Sequence, residues 1–195
     1  MRLWNVATGQ VLFTLPMSGF VHAWCVAFSP DGKTLAAGVG PAEVWLWDVG
    51  TGKEVARLTG MGEAVRWIGF HPDGQSLVAA GGLTGNAVYV WDLATRKHRL
   101  LSGHGSPVVS GAWRADGRLL ITAGIFDGTV RLWDLRGDRP RSRVLPVIPP
   151  NVPWVHGIAL SPEGRHLAVC HPNGTVYVLR LAKRGEVFEV ADGVK

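Results

Sequence analysis

The chain has 195 residues, 47% of them hydrophobic and 18% charged, with a formal net charge of +5; that much apolar content excludes a chain disordered for want of burial. No run reaches the roughly 18 uninterrupted apolar residues of a membrane helix, and the first ten residues lack the charged-then-apolar layout of a secretion signal. The two cysteines, Cys25 and Cys170, have no CxxC or Cys/His spacing around them and read as small core residues, with a cytoplasmic location expected.

In chain order, the first element is "MRLWNV", Met1 to Val6, which nearly recurs as "VRLWDL", Val130 to Leu135. A second strand follows over Gln10 to Leu15. Next come four turn markers in series: "SPDG" from Ser29, "HPDG" from His71, "RADG" from Arg114 and "SPEG" from Ser161, starting 42, 43 and 47 residues apart. In step with them run "RLWN" ending at Asn5, "WLWD" at Asp48, "VYVWD" at Asp92, "VRLWD" at Asp134 and a degenerate "VYVLR" at Arg180. Short apolar, β-branched and aromatic runs lie between these markers, bounded by Gly, Pro, Asn or Asp, and such runs read as strands. One period predicts strands near Val65 to Phe70, Ser76 to Ala80, Ala87 to Trp91 and Lys97 to Leu101: four antiparallel strands. Runs such as Val88 to Trp91 have no strongly polar side, so the sheets are expected to be covered on both faces.

A four-stranded unit of about 40 to 45 residues carrying a Trp-Asp pair resembles the WD40 repeat of β-propellers over essentially the whole chain. The fold class implied is all-β, with a half blade at 1–15 and blades at 16–60, 61–103, 104–146 and 147–195, the last ending near Val190. In the family, a His, an Asp and the Trp of the third strand form a buried hydrogen-bond network. The matching residues are His104, Asp127 and Trp133, with Thr122 a candidate fourth member of unsettled register. A buried indole N–H or carboxylate left unpaired costs about 1 to 3 kcal/mol, so these are fold residues. Elsewhere the pattern decays: Pro41 and Gly85 stand where the carboxylate belongs, and the last repeat has Asn173 there and Leu179 in place of the Trp. Only the repeat at 104–146 is therefore expected to hold the network, the others relying on packing.

The first two strands of the opening blade are absent from the sequence. An open end that bares roughly 500 Å² of apolar surface loses on the order of 10 kcal/mol at about 25 cal/mol/Å². The expectation is that these residues form the C-terminal part of a larger propeller, with the missing blades supplied by upstream sequence or a second chain.

The chain holds no HExxH, GxSxG, P-loop or complete GxGxxG, and "GGLTGN", Gly81 to Asn86, reads as a turn between strands. The seven histidines are scattered singly, so neither a metal nor a cofactor is expected. Residues 96–143 hold ten Lys/Arg against four Asp/Glu. Arg96, Lys97, Arg99, Arg136, Arg139, Arg141 and Arg143 fall in the outer loops and strands of two adjacent blades, where they protect strand edges and aid solubility. Nucleic acid is not favoured, because no aromatics interleave with these charges.

Four residues before the closing aromatic or leucine of each first strand stand Trp24, Arg66, Val109 and His156, a position that varies while its neighbours repeat in kind. Trp24, Arg66 and His156 are candidate contacts for a protein or peptide partner at the channel mouth. Trp154, displayed by the proline-rich loop "VLPVIPPNVPWVHG" (Pro146, Pro149, Pro150, Pro153), is the fourth candidate. The resemblance implies a noncatalytic protein-interaction scaffold. The alternative is the regulatory propeller of a multidomain enzyme, such as a signalling protein kinase with its catalytic domain upstream. An enzyme in its own right would need ligands on the inward strands, which offer only "WCVAF", "RWIGF", "VSGAW" and "HGIAL".

Overall fold

The computed structural model describes residues 1–17, 22–40, 42–82, 86–137, 140–145 and 154–181. The expected strand near Val190, with Pro41, Gly85, Arg139, Pro146, Pro149, Pro150 and Pro153, lies outside the described residues. Seventeen strands and no α-helix appear among those described. β1 (Arg2–Asn5) and β2 (Gln10–Thr14) form a two-stranded antiparallel sheet. Three four-stranded antiparallel meanders follow. The first is β3 (Ala23–Phe28), β4 (Thr34–Val39), β5 (Glu43–Asp48) and β6 (Glu54–Leu58). The second is β7 (Val65–Phe70), β8 (Ser76–Gly81), β9 (Val88–Asp92) and β10 (His98–Leu101). The third is β11 (Val108–Trp113), β12 (Leu119–Gly124), β13 (Val130–Asp134) and β14 (Arg141–Leu145). The last sheet holds β15 (Gly157–Leu160), β16 (His166–Cys170) and β17 (Val176–Arg180). The four strands expected in the second meander are found with every end within one residue. Among the described residues β1 pairs only with β2.

Turn chemistry fixes these strand ends. Between the first two strands of each meander, an Asp accepts the backbone N–H two residues on: Lys33 to Asp31 at 3.0 Å, Gln75 to Asp73 at 2.8 Å, Arg118 to Asp116 at 3.0 Å. Between the third and fourth, the Asp of each Trp-Asp pair does the same work. Asp48 accepts the Thr51 amide and hydroxyl, both at 2.7 Å, and Asp92 accepts those of Thr95 at 2.7 and 2.8 Å. These bonds hold both carboxyls below the usual Asp range, the hydroxyl bond leading at Asp48 and the amide bond at Asp92. The Trp of the pair thus belongs to the core and the Asp to the turn.

The residue immediately after the turn's Thr (Thr8, Thr51 and Thr95) shows a local conflict. Gly9 and Gly52 take the left-handed conformation there, at φ 67° and 68°, and Arg96 takes it at φ 57°. A β-carbon in that region costs about 1 kcal/mol. Arg96→Gly is therefore expected to raise stability by about 0.5 to 1 kcal/mol despite the freer unfolded chain, read as a rise in the urea midpoint.

Because successive side chains of a strand face opposite ways, each sheet feeds two cores. Leu15, Leu35, Trp45 and Trp47 fill the space between the two-stranded sheet and the first meander. Val44, Leu46, Ile68, Phe70 and Leu77 fill the next. Val78, Val90, Leu101, Leu120 and Trp133 fill the third, and Ile121, Leu132, Leu167, Val169 and Leu179 the fourth. Neighbouring residues such as Leu77 and Val78 thus serve different cores, which is why these strands lack a polar side. The first strands pack in succession, β3 on β7, β7 on β11 and β11 on β15. Side chains bond across these joints: Cys25 Sγ donates to the Val65 carbonyl at 3.7 Å, the Ser110 hydroxyl accepts the Ile158 N–H at 3.1 Å, and His71 Nε2 sits 2.9 Å from the Gly117 carbonyl with its ring edge-on to Trp113.

Candidate functional site

Strands alternate direction, so the loops joining one sheet to the next lie at the same end as the turns between second and third strands. This end, where β3, β7, β11 and β15 begin, carries every candidate contact residue. The opposite end carries the polar turns just described.

The buried network lies at the near end of the third meander. Thr122, on β12, is its hub: the Trp133 indole N–H donates to its hydroxyl at 2.7 Å, and His104 Nε2 lies 2.7 Å from the same oxygen. The Asp127 carboxylate, an acceptor only, faces Nδ1 and assigns the ring proton to that nitrogen, which leaves Nε2 to accept the proton of the Thr122 hydroxyl. Nδ1 lies 3.3 Å from Asp127 and 3.1 Å from the Thr129 hydroxyl. Asp127 further accepts the Gly105 N–H at 2.7 Å, the Thr129 N–H at 2.8 Å and the Thr129 hydroxyl at 2.9 Å. Burial pushes its pKa up, but His104 and these donors outweigh that and hold it well below the usual carboxylate range. Cross-strand register pairs Trp133 with Leu120, and the indole reaches Thr122 two residues on, so Trp133 joins His104 through the Thr122 hydroxyl. Thr129 is a member that the sequence reading left out.

The neighbouring sheets replace this network with hydrocarbon. In register, Met61 stands for His104, Ala79 for Thr122 and Trp91 for Trp133, and the three share one core. The Trp91 and Trp47 indole N–H groups are buried with no hydrogen-bond partner among the described residues. In the last sheet Val169 and Leu179 fill the same places.

At the loop end, Trp24 opens β3 and is 49% exposed. The Arg66 guanidinium, from the start of β7, lies over its ring at 4.3 Å, and His22 flanks it at 6.0 Å. The structure thus joins two of the predicted residues across a sheet boundary. Trp154, 46% exposed, packs edge-on to Phe126, 52% exposed, at 5.6 Å. Phe126 escaped the sequence reading; a large apolar residue in the turn just before Asp127 was the available signal. His156 is exposed just ahead of β15, its N–H bonded to the Cys170 carbonyl, and Val109 is half-buried on β11. The basic rim is partly neutralised, with Arg136 paired to Asp134 and Arg99 donating to the Leu135 carbonyl at 3.4 Å; Arg139 is outside the described residues. Among the described residues no three His, Cys, Asp or Glu side chains cluster as metal ligands.

Sheets stacked face to face around their first strands, each with its loops gathered at two ends, define a β-propeller. The WD domain, G-beta repeat family matches residues 9–48, 52–92 and 95–134, and the chain belongs to this WD40 family. It is 34% identical over 137 residues to WD repeat-containing protein SL1-17 of Schistosoma mansoni, covering 70% of this chain and 44% of that protein. It is 26% identical over 188 residues to the Protein LST8 homolog of Drosophila melanogaster, covering 95% and 58%. To the small ribosomal subunit protein RACK1y of Oryza sativa subsp. japonica it is 32% identical over 148 residues, covering 70% and 41%. The β-propeller domain of Cps50 (Swd1) from Myceliophteria thermophila shares the fold at a TM-score of 0.71 and 24% identity, over 82% of this chain and 51% of that one. The chain spans between 41% and 58% of these four proteins.

Proposed function

We propose that this propeller region is a noncatalytic scaffold that binds a protein or peptide partner through the loop end bearing Trp24, Arg66, Phe126, Trp154 and His156. The observation that carries this reading is the asymmetry between the two ends. Three half-exposed aromatics stand at the loop end. The opposite turns contain no Trp, Phe or Tyr among the described residues and their carboxylates are satisfied within the turns, the one half-exposed aromatic beside them being Phe28, 53% exposed at the end of β3. Trp and Arg are among the residue types enriched at binding hot spots. Membership of the WD40 family supports an interaction role, and one relative is by name a ribosomal subunit protein, a component of an assembly.

The test compares proteins retained from a native extract by the chain, by Trp24→Ser/Trp154→Ser, and by the far-end variant Lys33→Ser/Lys53→Ser. The expected result is a partner whose affinity, measured after purification, falls about tenfold or more with the first pair of changes and is unaltered by the second. A partner that ignores both tryptophans, or one lost through Lys33 and Lys53, would overturn the assignment.

A further inference from the structure

At the end opposite the loops, one side chain seals each of two joints between successive sheets, and the first joint lacks it. The turns that begin at Ser29, His71 and Arg114 close alike: Gly32, Gly74 and Gly117 each donate to the carbonyl of the turn's first residue, at 2.9, 2.9 and 2.8 Å. From the second meander, His71 sets Nδ1 2.8 Å from its own Asp73 and Nε2 2.9 Å from the Gly117 carbonyl of the third, with its ring against Trp113. A β-carbon on Gly117 would strike that ring at 2.5 Å. From the third meander, Arg114 Nε bonds its own Asp116 at 2.9 Å, and its stem lies over Gly164 of the last sheet, where a β-carbon would come within 2.7 Å of Cγ. Each of these side chains holds a carboxylate of its own turn and covers a glycine of the next.

Ser29 holds that place in the first meander. Its hydroxyl bonds its own Asp31 at 2.6 Å, but the side chain is too short to reach the second meander. Among the described residues, a β-carbon on Gly74 would meet only Pro30, at 3.9 Å. The joint is left as a groove of about 410 Å³ whose walls include Ser29, Pro30, Asp31, Phe70, Asp73 and Gly74. That volume far exceeds the roughly 30 Å³ share of one water and admits a long side chain. Phe70 stands in the register of Trp113, pairing with Leu77 as Trp113 pairs with Leu120, so the groove has the aromatic wall that His71 meets in the next joint. The ionisable residues of its walls are both carboxylates, Asp31 and Asp73. Their turn bonds fall on Oδ1, which leaves Oδ2 to an incoming donor.

We propose that this groove takes an arginine side chain of a protein partner, its guanidinium lying over Gly74 and against Phe70, between Asp31 and Asp73. The walls carry charge of one sign, and charge-assisted bonds between guanidinium and carboxylate are among the strong ones. The chain fills the two corresponding places with His71 and Arg114, nitrogen-bearing side chains that bond a carboxylate and cover a glycine. A flat guanidinium suits a site built from an uncovered glycine and an aromatic wall, which the compact ammonium of lysine does not. The groove lies at the end opposite Trp24, Arg66 and Trp154, so this second contact is independent of the loop-end reading.

The test is a titration of the full ¹⁵N-labelled chain with a capped pentapeptide carrying one central arginine, and with its citrulline counterpart, which keeps the shape and loses the charge. The arginine peptide is expected to shift the Gly74 and Phe70 amide resonances saturably, with an affinity about tenfold or more above that of the citrulline peptide. Ser29→Arg supplies the missing side chain from within the chain, as Arg114 does in its own joint, and should abolish the response. Asp31→Asn/Asp73→Asn keeps an Oδ1 acceptor for each turn and removes both charges, so the two peptides should then bind alike. Equal response to the two peptides in the wild type, no shift at Gly74, or full affinity in Ser29→Arg would each overturn the proposal. Should Ser29→Arg fail to fold, the Asp-to-Asn pair and the two-peptide comparison decide. Trp24→Ser/Trp154→Ser should leave this titration unchanged, so its effect on a whole partner reports separately on the loop end.

Discussion

Replacing Thr122 with Val lowers the unfolding free energy by about 3 kcal/mol, because two buried groups lose their partner at once and each unpaired group costs about 1 to 3 kcal/mol. The Trp133 indole and His104 Nε2 both bond to the one hydroxyl at 2.7 Å, and Thr122 is fully buried. Val matches Thr in shape, so the loss is one of hydrogen bonding with little cavity term. Urea unfolding at neutral pH measures it directly; a loss below about 1 kcal/mol would mean that the indole and imidazole find other partners. The far end of the same network gives it a pH signature. Asp127 is depressed in the folded chain, so between its folded and unfolded pKa values the unfolded state binds more protons and stability rises with pH. Its contribution is complete above the ordinary Asp pKa of about 4 and declines as pH falls toward the lower folded value. The stability gap between the wild type and Asp127→Asn should therefore be widest near neutrality and narrow below about pH 4; a gap independent of pH would remove the charge from the account.

The periodic features of this chain were legible because their causes are local. Asp31, Asp73 and Asp116 make their turns with residues two positions away, and Asp48 and Asp92 with residues three positions away, so strand ends in β7 to β10 could be placed within a residue. The loss of the network from the second meander was likewise visible in Gly85. What escaped depends on which residues meet across sheets or turns. Thr129 reads as an ordinary strand-entry residue until the turn brings it against Asp127. The Trp24–Arg66 contact joins residues 42 positions apart through the packing of β3 on β7, and the strand pattern of either one is silent about the other.

Gly111→Val is expected to cost about 3 kcal/mol, at the upper end of what overpacking usually does, because the group in its way has nowhere to go. A β-carbon at Gly111 would sit 2.7 to 2.8 Å from three ring atoms of Trp67, across the joint between β7 and β11. The same indole already lies over Gly69 of its own strand, where a β-carbon would meet it at 2.7 Å. The ring is therefore clamped between two glycines on adjacent sheets, and retreat from one drives it into the other. Trp67→Leu removes the clamped ring and costs about 2 kcal/mol by itself through lost packing. Combined with Gly111→Val, it should cost less than the sum by about 2 kcal/mol, since the new side chain occupies the space the indole leaves. Additive costs in that double-mutant cycle would show that the ring is free to move. The consequence extends to binding, because Trp67 directly follows Arg66 on β7. An indole forced out of the joint carries the Arg66 backbone with it, and the guanidinium held 4.3 Å above Trp24 loses its seat. Gly111→Val, far from any proposed contact, should then weaken partner binding at the loop end, and Trp67→Leu in the same chain should restore part of it.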